Sequence, residues 1–238
     1  MSVRDEMVAG TSDTSKYKII VIPADENGCR FYLEQYRPFR LASLQQDAHA
    51  FGSTYAREIA FDEETWLGRI RNPSVTTFVA VQSDTSNQVV ASTSLIGPLP
   101  NTSPASNPHQ FISKAMTQRD TTNNDNNNNN TNNNNNNDSV SDEPLCYQMS
   151  GVYTSPAARG RGLAKSLIKA ATEEARRRAR GQARPLVLSV VVYAANSAAI
   201  SVYERCGFAR GAEEPKLVFN ALKNSSEKQL NMYFQGGL

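Results

Sequence analysis

The sequence predicts an α/β domain, a sheet flanked by helices, and three stretches carry that expectation. Residues 147–153 (YQMSGVY) read as an extended segment that stops at the turn-forming pair Ser155-Pro156. Just downstream, Leu163, Leu167, Ile168, Ala171 and Ala175 recur at helical spacing, so a long helix starts at the glycines of 159–164 (RGRGLA). The third stretch is an apolar, β-rich run at 186–192. It is followed by a short helix that Asn196 or Ser197 can cap and Gly207 can close.

The other elements follow in chain order. Residues 18–23 form an edge-strand candidate. Two helical stretches come next, near 39–51 and from about 62 to 71. Asp62 can cap the second, and Phe61 with Trp66 anchors it. Residues 75–82 and 89–96 are β-rich and flank the polar turn 83–88, hence a hairpin. Residues 217–219 and 230–234 supply the last two strands. The segment 231–236 (NMYFQG) partly resembles an engineered protease site, but its alternation suits a terminal strand, which is the preferred reading.

Of the 238 residues, 123–137 are almost pure Asn, and the flanks from 98 to 144 are mostly Ser, Thr, Asn, Asp and Pro. Such a segment buries too little apolar surface to offset its ordering entropy, so disorder is expected there and in the tail 1–16. What remains is one domain over 17–235, interrupted at about 98–144; closure entropy grows only logarithmically with loop length. A net charge of +2 gives no reason to expect a polyanionic partner. No apolar run reaches the roughly 20 residues of a membrane span, and the polar N-terminus lacks a secretion signal. Three scattered cysteines point to a reduced intracellular setting, read as cytoplasmic, and nothing in the sequence excludes the nucleus. His49 and His109 are too few and too isolated for a metal site.

The chemistry concentrates at 159–164. Two glycines at a helix start let main-chain N–H groups close on a ligand, and the positive end of the helix dipole favours an anion such as a diphosphate. Spacing narrows the choice. A Walker loop needs four residues between its first Gly and a Gly-Lys-Ser/Thr, whereas Lys165-Ser166 follow Ala164. A dinucleotide fingerprint needs Gly or Ala where Lys165 stands. The pattern Arg159-x-x-Gly162-x-Ala164 resembles the acyl-CoA pyrophosphate loop of the GNAT N-acetyltransferases. Asn196, Ala198 and the run 203–208 (YERCGF) are similar to that family's second motif.

The resemblance implies a mixed, twisted sheet of about six to seven strands flanked by helices, with acetyl-CoA as co-substrate in a cleft between parted strands. It further implies that Arg159, Gly160, Arg161, Gly162, Leu163 and Ala164 grip the diphosphate, with Arg161 adding charge. The main chain of Val152, Tyr153 and Thr154 would pair with the pantetheine arm and polarise the thioester carbonyl. Asn196 would contact the coenzyme, and Tyr203 would protonate or hydrogen-bond the departing thiolate. A general base is harder to name. The family register for a glutamate falls at Cys146, and Glu143, Glu58, Asp62, Glu63 and Glu64 are the nearby carboxylates.

The expected activity is acetyl transfer to a primary amine, on a small molecule or a protein. Residues 39–71 and the loop near Tyr233 would wall the acceptor, with Phe51, Tyr55, Phe61 and Trp66 as a partly apolar lining or as core. The arginines at 176, 177, 178 and 180 read as a solvated helix end rather than a nucleic-acid patch, and a homodimer is allowed. Two other readings stand beside it: a non-catalytic CoA-binding sensor or scaffold, and an interaction protein that assembles through its Asn-rich insertion.

Overall fold

The computed structural model describes residues 16–83, 87–100 and 143–236. The tail and nearly all of the Asn-rich insertion lie outside the described residues, as does part of the turn 83–88. The sheet is built from β1 (Tyr17–Val21), β2 (Val75–Gln82), β3 (Val89–Leu99), β4 (Leu145–Thr154), β5 (Leu186–Tyr193), β6 (Phe208–Arg210), β7 (Lys216–Asn220) and β8 (Ser225–Phe234). The seven strands legible in the sequence are present, and the three-residue β6 is the eighth. The order is β1-β2-β3-β4-β5-β8-β6, with β7 also on β8. Only β4 and β5 run parallel, and the helix α5 (Leu163–Gly181) crosses between them.

One face of α5 is apolar and fills the main core. Leu163, Leu167, Ile168, Ala171 and Ala175 are buried against Tyr147 and Met149 of β4 and Leu188 and Val190 of β5. Each fully buried Leu or Ile there contributes about 1.5–3 kcal/mol. At the far end of α5, Arg177 and Arg178 pair with Glu174, and Arg176 pairs with Glu173. Arg177 and Arg180 stay exposed, while Arg176 and Arg178 are partly buried.

The opposite face of the sheet, over β1–β3, is covered by α1 (Glu26–Phe31), α2 (Arg37–Gln46), α3 (Tyr55–Ile59) and α4 (Glu63–Arg71). Trp66, Tyr32 and Tyr36 pack there on Val79 and Val81. The helical stretch expected at 39–51 starts earlier and ends sooner. Asp25 caps α1 by accepting from the Gly28 N–H at 2.8 Å, and α1 continues into α2 through a π-helical turn, Tyr32–Tyr36. Two residues that read as helix breakers explain the difference. A Cβ on Gly28 would stand 1.8 Å from the Pro23 carbonyl oxygen, so this glycine permits a close backbone approach. Pro38 lacks an N–H and would crowd the carbonyl four residues back, and the wider π turn relieves that clash. Among the described residues no helix is long and apolar enough to cross a membrane.

Candidate functional site

β4 and β5 pair from Leu145↔Leu186 to Met149↔Val190 and then part. Past that point β5 pairs only with β8, and β4 stays only with β3. A bulge between Ser92 and Ser94 opposes Ser150 to Tyr153, and Gly151 takes the positive φ of 65° that this bulge requires. The Ser155 N–H donates to the Val90 carbonyl at 2.9 Å, on the β3 side. By strand alternation the Thr154 main chain faces the other edge, where Arg159 Nε donates to the Thr154 carbonyl at 3.1 Å. Half of β4 thus offers backbone groups to a gap instead of to a strand.

The chain leaves β4 through a short turn, Pro156–Ala158, and enters α5 at Gly162, the N-cap. Gly160 and Gly162 both have φ 76°, a left-handed conformation that other residues adopt only with strain. No side chain caps α5, so its first N–H groups have no intrahelical acceptor. A Cβ at either glycine would meet nothing within 4 Å. These glycines are therefore not there for packing; they keep donors bare beside open space, which fits a coenzyme diphosphate.

The gap is a cleft of about 580 Å³, a volume suited to a coenzyme-sized ligand. Val152, Tyr153, Thr154, Arg159, Gly160, Gly162, Leu163, Ala164, Asn196 and Tyr203 all line it. The structure thereby brings together residues that the sequence scatters over three elements.

Arg161 is the exception. Its guanidinium lies 5.6 Å from the Tyr17 ring centroid and donates to the Ala157 carbonyl at 3.5 Å, off the cleft. With φ-positive glycines on both sides, the backbone turns its side chain outward.

The Arg159 side chain is also engaged within the protein. It forms a 2.6 Å ion pair with Asp47, which accepts the Tyr153 hydroxyl proton at 2.8 Å as well. Burial and the Asp47 carboxylate push the Tyr153 phenol up to about 12. Burial alone would raise the Asp47 carboxyl, but the hydrogen bonds from Tyr153 and Arg159 hold it below its ordinary value. Asp47 belongs to no motif. Its role depends on a contact 112 residues away in sequence, so no local signal could have marked it.

The short helix α6 (Ser197–Glu204) forms the other wall. Asn196 caps it, its Oδ1 accepting from the Ala199 N–H at 3.0 Å, while lining the cleft. Tyr203 is 6% exposed and packs edge-on against Phe208 with ring centroids 5.7 Å apart. Its hydroxyl has no hydrogen-bond partner among the described residues. Burial, then the neighbouring Cys206, pushes the phenol well above its usual range, so it stays protonated at any working pH.

Of the carboxylates considered as bases, Glu58, Asp62 and Glu64 are committed elsewhere. Glu58 is buried, not on an exposed face, and accepts from Arg40 at 2.8 and 3.0 Å and from Arg69 at 3.3 Å. Burial would raise it, but Arg40 and then Arg69 hold it at about 2. Asp62 caps α4, and exposed Glu64 pairs with Arg71. Glu143, Glu63 and Glu64 do not line the cleft. Cys146 lies where β4 is still paired with Val187, and burial raises its thiol. Phe51 and Trp66 are core: Phe51 packs at a tilt against Tyr153 and Trp66 against Tyr32.

The β7–β8 hairpin reaches over to the segment that follows α2. Asn220 Nδ2 donates to the Gly52 carbonyl at 2.8 Å and Lys223 Nζ to that of Ala48 at 2.6 Å. Among the described residues no group of three His, Cys, Asp or Glu side chains could hold a metal.

Comparisons with known proteins agree with this fold. Residues 126–208 match the model of the Acetyltransferase (GNAT) family. No curated protein matches the chain. Among solved structures, Arabidopsis thaliana NAA60 in complex with a bisubstrate analogue is similar at 14% identity and TM-score 0.54, covering 91% of this chain and 97% of its own. The putative acetyltransferase yncA from Salmonella typhimurium, with its cofactor acetyl-CoA, is similar at 15% identity and TM-score 0.53, with coverage of 92% and 94%. Spermidine N-acetyltransferase from Vibrio cholerae, with CoA and spermine, is similar at 13% identity and TM-score 0.52, with coverage of 92% and 95%.

Proposed function

From a chain whose residues 126–208 carry the GNAT acetyltransferase family's domain, we propose an N-acetyltransferase that moves an acetyl group from acetyl-CoA to a primary amine. The observation that carries it is the parting of β4 and β5 beside a bare helix N-terminus, which leaves a cleft of about 580 Å³.

Acetyl-CoA supplies the thioester, and the chain's own groups do the rest. The loop 160–164 holds the diphosphate through N–H donors, and the freed main chain of Val152 to Thr154 pairs with the pantetheine arm. A main-chain N–H at this edge stabilises the oxyanion as the amine nitrogen adds to the carbonyl carbon. The amine gives up its proton to solvent water in the open cleft, the carbon–sulfur bond breaks and the amide forms. The thiolate leaves toward Tyr203. A phenol raised by burial donates a hydrogen bond to that thiolate more readily than it surrenders its proton outright.

None of the carboxylates considered as bases lines the cleft, and that one observation favours the rival, a coenzyme-binding module without turnover. One experiment separates the two. The purified chain is incubated with acetyl-CoA and a panel of amines and N-terminal peptides, and free thiol is followed. An acceptor-dependent thiol signal with acetylated product supports transfer. Saturable coenzyme binding with no acceptor-dependent thiol from any panel member supports the rival.

A further inference from the structure

The charge expected from Arg161 lies instead over Tyr17, and the Arg159 side chain is engaged by Asp47. Two other cations line the same cleft: Lys165, in the first turn of α5, and Arg205, the C-cap of α6. Neither has a carboxylate partner among the described residues. Arg205 donates only to the neutral Ser201 hydroxyl at 2.6 Å, and the adjacent Glu204 is turned to Arg210 at 3.5 Å. Both also sit near enough to the Cys206 thiol to lower it against its desolvation.

We infer that Lys165 and Arg205 form a second anion subsite, outside the glycine loop, that takes the 3′-phosphate of the coenzyme's nucleotide. The inference rests on the acetyl-CoA reading and adds a specificity to it. The diphosphate is already matched by the backbone donors of the loop. The coenzyme's remaining anion is a phosphomonoester carrying about −1.5 to −2 charges at pH 7, and two cations from facing helices are its complement. Neither side chain belongs to the glycine-loop pattern. Because both are exposed, the effect is screened by salt and amounts to about tenfold, not thousands.

Titration calorimetry of the purified chain with coenzyme A and with 3′-dephospho-coenzyme A is the test. The expected result is binding about tenfold tighter for the phosphorylated form at low salt, narrowing as salt rises. The double variant Lys165→Gln with Arg205→Gln should bring the ratio to about one without changing affinity for the dephospho form. Lys169→Gln, one turn along α5 and outside the cleft lining, should leave the ratio intact. Equal wild-type affinity for both forms, or a ratio that survives the double variant, overturns the subsite. Binding of neither form would instead contradict the coenzyme reading itself.

Discussion

Tyr203 is where residue-scale chemistry is sharpest. Its ring is fixed by packing on Phe208, and its hydroxyl points no hydrogen bond into the protein, so a sulfur in the cleft is a natural acceptor. Tyr203→Phe should lower kcat about 10- to 100-fold, the worth of one hydrogen bond to a developing anion, with coenzyme affinity little changed. Steady-state thiol release and calorimetry together check this. Since burial raises this phenol, the activity should show no titration assignable to it below about pH 10.

Glu58 is the opposite case, a carboxylate used for structure. Its folded pKa of about 2 lies below the unfolded value, so its contribution is fully present above about pH 4.5 and is lost as pH falls toward 2. Linkage puts that contribution at about 3 kcal/mol. Glu58→Gln should destabilise by about 3–5 kcal/mol, because it strands two arginines in a largely buried site. Denaturant unfolding at neutral pH and at pH 3 should show the wild-type advantage shrinking with acid. An unchanged difference would contradict the ion-pair account. Sequence gave no hint of this burial: a glutamate among exposed carboxylates looks like a solvated helix face until Arg40 and Arg69 are folded onto it.

The glycine loop was legible at the scale of single elements because its cause is local. Positive φ, a bare helix start and a downstream 3.6-residue period are all written in consecutive residues, and the structure places them together. Gly162→Ala should cost about 1–2 kcal/mol of stability through the left-handed backbone and should weaken acetyl-CoA binding. Thermal unfolding and calorimetry check both halves. An alanine variant with native coenzyme affinity would mean that the loop's backbone geometry is not what holds the ligand. The long α1–α2 segment was poorly legible for the reverse reason. Gly28 and Pro38 look like punctuation locally, and only the Pro23 backbone and the π turn show what each accommodates. The outward turn of Arg161 is a similar lesson, since spacing fixes a motif's backbone but not the direction of its variable side chains.

At the scale of the whole molecule, long-range pairing among the described strands assembles the cleft. Leu99 and Cys146 are already register partners, so the chain leaves and re-enters the sheet at neighbouring positions. Replacing residues 101–142 by a short Gly/Ser turn should leave acceptor-dependent thiol release unchanged. Closure entropy predicts a stability gain of no more than about 2 kcal/mol. Loss of activity in that variant would assign the insertion a part in the chemistry or in an assembly that the chemistry needs. The parting of β4 from β5 was expected from a family resemblance, whereas the Asp47–Arg159 bridge was not, because it joins elements far apart in sequence.

The most direct test of the central claim is a proton–nitrogen correlation spectrum of the labelled chain titrated with coenzyme A. Backbone donation to the diphosphate predicts that the Gly160, Gly162 and Leu163 amide protons move downfield together and saturate with the calorimetric affinity. Amide signals from this loop that stay in place while others shift would show that the coenzyme, if bound, is held somewhere else.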